Sequence, residues 1–448
     1  MMTLTASQKL ASFVVDFLDR PIPAHVLTYA KYCLIDTVAA ATYGAEFPWS
    51  KAVLAYAARY GAGGTSTVLG TSSMRVHAPM AALANGALAH AFEMDGIREP
   101  SAGVHAGATI APAAFAVGEE CDADGLSVLK AFILGTEVAS RIGVASHHSP
   151  EKIGFHAPGM TGPFGAAIAA GVLMELDAER LTNALGLAGS LTSGLMTFST
   201  SRHGSMVKRL HPGRAAESGV LAARLAASGF EGPETILDGR FGFLDAYCRD
   251  LPQETSLLTA NLGEDWETLR TGLKRYACHA NAQTATQSAI TLQRRHQFLP
   301  EEIDHIMIEG NERLIGRHDN PEPLDIMQGQ YSLPFCVALA LYRDPNDPRS
   351  FSSESVNDPD IRSLARKVRV TTMATRSVRH TRMTICLLDG TVLVEDCEIY
   401  KGMPSDPVTV DDLSIKFKSL TRSLDERHAD VLFDRLITLE KQNRLPFA

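Results

Sequence analysis

Residues 164–176 read Phe164-Gly-Ala-Ala-Ile-Ala-Ala-Gly-Val-Leu-Met-Glu-Leu176. As a helix this run is apolar on nearly every side and is built mostly from Ala and Gly. It is too short to span a bilayer, which takes about 20 apolar residues. A helix that is apolar all round has to be enclosed by other elements. Its small residues let neighbouring helices approach closely. The run therefore predicts a buried helix inside a helical domain.

The flanking sequence extends this reading. Apolar residues at helical spacing predict helices over 24–43, 79–94, 112–120, 125–146, 178–194 and 215–229. Pro79 and Pro112 are expected in first turns, where a missing N–H costs nothing. The texture changes near Lys274. Alternating patterns predict strands over 305–309, 368–372, 384–388 and 391–395, the last two around a two-residue Asp389-Gly390 hairpin turn. Helices are expected between them over 283–295 and 333–342, and the tail over 410–444 returns to helix. The expected fold class is mainly α: a large all-helical domain plus a smaller α+β domain. The expected boundaries are 1–267 for the helical domain, 268–400 for the α+β domain, and 401–448 for a tail completing the first.

Composition limits the function. The chain has 448 residues, of which 45% are hydrophobic, 21% charged and 7% aromatic, with a formal net charge of -9. This balance argues against a general nucleic-acid or membrane-surface binder, so neither partner is expected. A small anion held by a few local cations stays compatible. The seven cysteines (33, 121, 248, 278, 336, 386 and 397) are odd in number and contain no Cys-x-x-Cys. They suit a reducing compartment, and a cytoplasmic location is expected. The N-terminal segment carries Asp16 among its apolar residues and reads as a first amphipathic helix, not a secretion signal.

The phosphate, dinucleotide, zinc-protease and serine-hydrolase motifs are absent, and no zinc-ligand spacing occurs. No cofactor and no metal are expected. Acid–base chemistry by His, Lys, Asp and Tyr remains.

The densest cationic stretch is Met206-Val-Lys-Arg-Leu-His-Pro-Gly-Arg214, with Pro212-Gly213 expected at the start of the following helix. Unpaired N–H groups there, flanked by Lys208, Arg209 and Arg214, would suit a small carboxylate. The alternative is a solvated basic turn. Lys208 in a partly dry pocket would also be a candidate cationic base. His105 lies among Gly and Ala and reads as a base, a helix cap or a core histidine. Asp95 ends a helix and either caps the next turn or orients a histidine. His156 sits in a Gly/Pro-rich loop before the 164–176 helix, where a neutral imidazole is favoured. His279 stands at the expected domain boundary, beside Cys278, which reads as a buried thiol.

Taken in order, these segments resemble one family. They are Asn85-Gly-Ala-Leu-Ala-His-Ala-Phe-Glu-Met-Asp95, His105-Ala-Gly, Gly154-Phe-His156, Lys208-Arg-Leu-His-Pro-Gly-Arg, Lys274-Arg-Tyr-Ala-Cys-His279 and Gly329-Gln-Tyr331-Ser-Leu-Pro-Phe. The chain is similar to the MmgE/PrpD (2-methylcitrate dehydratase) family along nearly its whole length. The resemblance implies a helical domain made from both chain ends, an α+β lid, a homodimer, an active site between the domains, and di- or tricarboxylate substrates. It implies His105, His156, Lys208, His279 and Tyr331 as catalytic positions. Asp95, Arg209 and Arg214 are expected to support substrate binding, Asp95 by orienting a histidine. Where family dehydratases and the decarboxylase carry Asp-Phe-Asp-Asp-Thr, this chain has Glu93-Met-Asp-Gly-Ile97. Loss of the second Asp and the Thr removes groups suited to expelling water. The expected activity is therefore epimerisation of a dicarboxylate such as iminodisuccinate, by proton abstraction next to a carboxylate. The alternatives are a 2-methylcitrate-type dehydratase, a cis-aconitate-type decarboxylase, or a carboxylate-binding protein without turnover.

Overall fold

The structure, a computed structural model, describes residues 4–201, 205–249 and 254–447. The first three residues of the expected N-terminal helix lie outside these, and the helix itself runs Ala6–Leu18. The fold is mainly α with small sheets, as the periodicity predicts. It divides into two compact units. One comprises Met1–Ala91, Asp95–Gly272 and Val410–Ala448; the other comprises Phe92–Met94 and Leu273–Thr409. Among the described residues no helix is long and apolar enough to cross a membrane.

In the first unit the opening stretch forms the helix Ala157–Leu173, buried along its entire length. It starts seven residues before the apolar run, because Pro158 fits the first turn. It packs against Val207–Ala227, Gly125–Ala145, Ala106–Glu120 and Ala178–Ser190. Val207–Ala227 also lies against Ala78–Ala89. That crossing is as close as backbone allows. A Cβ on Gly213 would come 2.2 Å from the Leu83 carbonyl oxygen, and one on Gly86 would come 2.7 Å from Gly213 Cα.

Two prolines depart from their expected places. Pro112 lies inside the helix Ala106–Glu120, and Pro212 lies inside Val207–Ala227. Each gives up one helical hydrogen bond. Enclosure by neighbouring helices outweighs that loss, which sequence spacing alone does not register. Pro212-Gly213 is therefore not a helix start, and the exposed N–H groups expected there as an anion site are absorbed into a continuous helix.

The second unit carries a four-stranded sheet in the order Val368–Thr372, Ile303–Gly310, Thr381–Leu387, Val392–Cys397. The first pair is parallel, with Ile306 opposite Val368, and the other two are antiparallel. Buried Ile306, Ile308, Met383, Ile385 and Leu393 alternate with more exposed neighbours. The helix Gln283–His296 covers Thr381–Leu387 and Val392–Cys397 and packs on Leu333–Tyr342. The hairpin turn takes three residues, Leu388–Gly390, rather than two. Leu387 N–H donates to the Thr391 carbonyl at 2.9 Å, and Gly390 supplies a φ of +91°.

Candidate active site

Four imidazoles, one carboxylate and one ammonium converge in the first unit, each delivered by a helix end or helix face. His90 is the C-cap of Ala78–Ala89, His105 the N-cap of Ala106–Glu120 and His156 the N-cap of Ala157–Leu173. Lys208 and His211 stand three residues apart on Val207–Ala227, which places them on one face.

Asp95 is the hub. It has no exposed surface. Its Oδ2 lies 2.7 Å from His105 Nδ1 and 3.0 Å from His90 Nδ1. A carboxylate oxygen accepts, so both Nδ1–H groups donate and each ring presents its basic lone pair at Nε2. The sequence left capping and orienting both open for Asp95, and the geometry assigns orienting. His90 was not anticipated as a site residue, although it lies within the Asn85–Asp95 motif. Its Nε2 is buried without a hydrogen-bond partner among the described residues.

The second pair is His156 and His211. Their Nδ1 atoms are 3.1 Å apart. Phe198 edges against both rings, with centroids 5.2 Å from His156 and 5.8 Å from His211. His90 and His156 have ring centroids 5.8 Å apart, so the two pairs form one continuous cluster.

The electrostatics keep His90, His156 and His211 neutral. Burial pushes His90 down to about 3; Asp95 opposes that shift and the nearby Lys208 charge adds to it. Burial, then Lys208, lowers His211 to about 4. His156 is held well below the usual imidazole range, by burial first and then by its histidine neighbours. Helix position is thus not the main reason that His156 stays neutral. His90, Asp95 and His105 could geometrically hold a metal ion, their donor atoms lying within 4.8 Å of one another. However, both Nδ1 atoms already serve Asp95, and the Lys208 ammonium opposes a second cation. The set is built for moving protons between an oriented base, neutral imidazoles and a cation.

Arg209 and Arg214 make other contacts. Arg209 lies over the Trp49 ring at 4.5 Å and donates from Nε to the Ala91 carbonyl at 2.9 Å. The Arg214 side chain is 47% exposed and pairs with Glu217. Six residues from Lys208, Arg214 falls on a different helix face. Arg209 is thus tied to Trp49 and the Ala91 carbonyl, and Arg214 to Glu217.

In the second unit His279 stacks on His318 with centroids 4.5 Å apart, and on Tyr331 at 4.7 Å. His318 Nδ1–H donates to the Tyr331 carbonyl at 2.8 Å, and its Nε2 accepts from Asn281 Nδ2 at 3.2 Å. Arg379 donates to Asn281 Oδ1. Burial lowers His318 to about 4 despite its Nδ1–H bond to the Tyr331 carbonyl. His279 Nδ1 accepts from the Asn281 N–H at 3.3 Å, which leaves its proton on Nε2. The same unit buries an ion pair, Lys274 Nζ to Glu93 Oε2 at 3.0 Å. His318 gave no sequence signal, because only the fold brings it to His279.

The profile of the MmgE/PrpD N-terminal domain matches residues 8–255, and that of the MmgE/PrpD C-terminal domain matches residues 276–437. The chain belongs to the MmgE/PrpD family. Among curated relatives, this MmgE/PrpD member is 28% identical to a cis-aconitate decarboxylase of Aspergillus terreus, over 94% of this chain and 90% of that protein. It is 25% identical to the cis-aconitate decarboxylase of Mus musculus (94% and 87%) and 24% identical to that of Homo sapiens (94% and 88%). These relatives are enzymes of the same family. They favour the decarboxylase alternative over the epimerase, which was the first expectation.

Proposed function

We propose that this chain is a decarboxylase of a small unsaturated tricarboxylate of the cis-aconitate kind, working by proton transfer beside a carboxylate. The observation that carries the reading is the Asp95–His105 pair, 2.7 Å apart, joined through Asp95 to His90, on which the buried Lys208 acts through its charge. The relatives named above support it along 94% of the chain.

The chemistry needs no external electron source. The bond to one carboxylate breaks, and carbon dioxide leaves without the electron pair. That pair spreads through the alkene towards a second carboxylate, and a proton on carbon closes the reaction. Lys208 stabilises the negative charge that develops. His105, with Nδ1–H fixed on Asp95, positions Nε2 for proton exchange, and Asp95 accommodates the positive charge when the ring takes a proton. His156 donates as a neutral imidazole. The His279–Tyr331 stack is assigned to carboxylate binding. The assembly proposed is a homodimer, tested by light scattering.

Epimerisation of a dicarboxylate shares the carbanion next to a carboxylate, and Gly96-Ile97 is the observation that favours it. Incubating the protein with cis-aconitate, iminodisuccinate and 2-methylcitrate in deuterium oxide, followed by proton NMR, separates the outcomes. Carbon dioxide release from cis-aconitate supports the proposal. Exchange at the α-carbon of iminodisuccinate alone would replace it with epimerisation, and elimination from 2-methylcitrate alone with dehydration.

A further inference from the structure

We propose that His211 reloads His156 with a solvent proton through their shared Nδ1–Nδ1 hydrogen bond. The inference rests on the decarboxylase reading, because loss of carbon dioxide from a carboxylate consumes one proton per turnover. That proton has to reach a cluster with little exposure: His156 is 8% exposed, Lys208 3% and His90 2%. His211 is the half-buried member of the group, and its Nδ1 is 3.1 Å from that of His156.

The pairing is built. The His156 backbone N–H donates to the Gly194 carbonyl at 2.9 Å, which ties the His156 backbone to the segment beside His211. Gly194 has a φ of +111°, and a Cβ there would approach His211 Nδ1 at 3.1 Å. Glycine thus leaves room for the His211 ring where a side chain would push it away. Phe198 lies against both rings and gives the shared proton an apolar neighbour. Neither ring hydrogen-bonds a carboxylate among the described residues, unlike His90 and His105, so a lasting imidazolium on either is disfavoured.

The proton count follows. His156 gives its Nε2 proton to carbon while its Nδ1 takes the Nδ1 proton of His211. His211 in turn takes a solvent proton at Nε2. Both rings begin and end neutral, each in its other tautomer, and one solvent proton has reached the product. Between turnovers, water entering the emptied site protonates His156 Nε2 while the protons shift back through the shared bond to solvent at His211 Nε2, which restores the starting tautomers. His211 acts through His156 and is therefore a positioning residue.

The test uses the full chain with His211→Ala, His211→Phe and His211→Asn, their folding checked by circular dichroism. With cis-aconitate as substrate, His211→Ala and His211→Phe should lower kcat about tenfold to hundredfold with little change in KM. Added imidazole should restore His211→Ala saturably but not His211→Phe, whose ring fills the space. His211→Asn should keep more activity than His211→Phe. Unchanged kcat in His211→Ala, or a loss that imidazole does not rescue, overturns the relay. Independently of turnover, the 15N-histidine-labelled wild type should show coupling between the two Nδ1 atoms, and its absence also overturns the relay. A wild type inert towards cis-aconitate sinks the decarboxylase reading, and the relay then stands or falls on that coupling alone.

Discussion

Asp95 Oδ2 accepts from His105 Nδ1 at 2.7 Å while the same oxygen accepts from His90 Nδ1 at 3.0 Å. One buried oxygen thereby sets the tautomer of two rings. Asp95→Asn offers an amide in place of the carboxylate and lets His105 adopt the other tautomer. The expected result is a loss in kcat of about a hundredfold or more, with the fold retained. Steady-state kinetics beside a thermal melt check it.

Lys208 lowers His211 through its charge, after burial, to about 4. Lys208→Met keeps the bulk and removes the charge. NMR titration should then find His211 shifted upward towards the ordinary imidazole range, and decarboxylation should fall sharply. An unmoved His211 would mean that the ammonium does not act on the cluster.

Stability should fall in acid. Burial holds His318 down to about 4, below the 6.5 of an unfolded chain. Between these values the unfolded state binds more protons, so stability drops as pH falls from 6.5 towards 4. For His318 this is about 2–3 kcal/mol at pH 4, and His90, His156 and His211 act in the same direction. Glu137 acts oppositely. It is fully buried, Arg141 at 3.6 Å is too distant to offset that, and Glu267 adds like charge, so its carboxyl rises to about 8. Here the folded state binds the extra proton, and stability falls as pH rises from about 4.5 to 8. Glu137→Gln should therefore melt higher than wild type at pH 8.5, with the advantage shrinking towards pH 5.

Gly213→Ala tests the helix crossing that carries Lys208. A methyl group 2.2 Å from the Leu83 carbonyl oxygen has to push the helices apart. The expected cost is about 1–3 kcal/mol, with reduced kcat because Lys208 and His211 move with their helix. Denaturant unfolding measures the first and kinetics the second.

Much of this was legible in the sequence. The Ala/Gly run at 164–176 announced enclosed helices, and 368–372 and 333–342 are observed as a strand and a helix at those limits. Helix starts were harder to read. Pro112, Pro163 and Pro212 each lie within a helix, because tertiary enclosure compensates a lost hydrogen bond that local rules treat as a stop. The site was partly legible. Asp95, His105, His156 and Lys208 come together, but His90 became a site residue only when its helix end met that of His105 around Asp95, and His211 only when its helix met His156, 55 residues away in sequence. Arg214 shares a motif with Lys208 yet faces elsewhere, since neighbours in sequence diverge around a helix.

The central claim is that the Asp95–His105 pair and Lys208 serve a decarboxylation completed by a proton on carbon. The direct measurement is proton NMR of cis-aconitate incubated with the protein in deuterium oxide, with carbon dioxide captured in parallel. The account predicts stoichiometric carbon dioxide and one deuterium on a product carbon, both abolished in Asp95→Asn and Lys208→Met. Recovery of cis-aconitate unchanged, with no carbon dioxide, would contradict it.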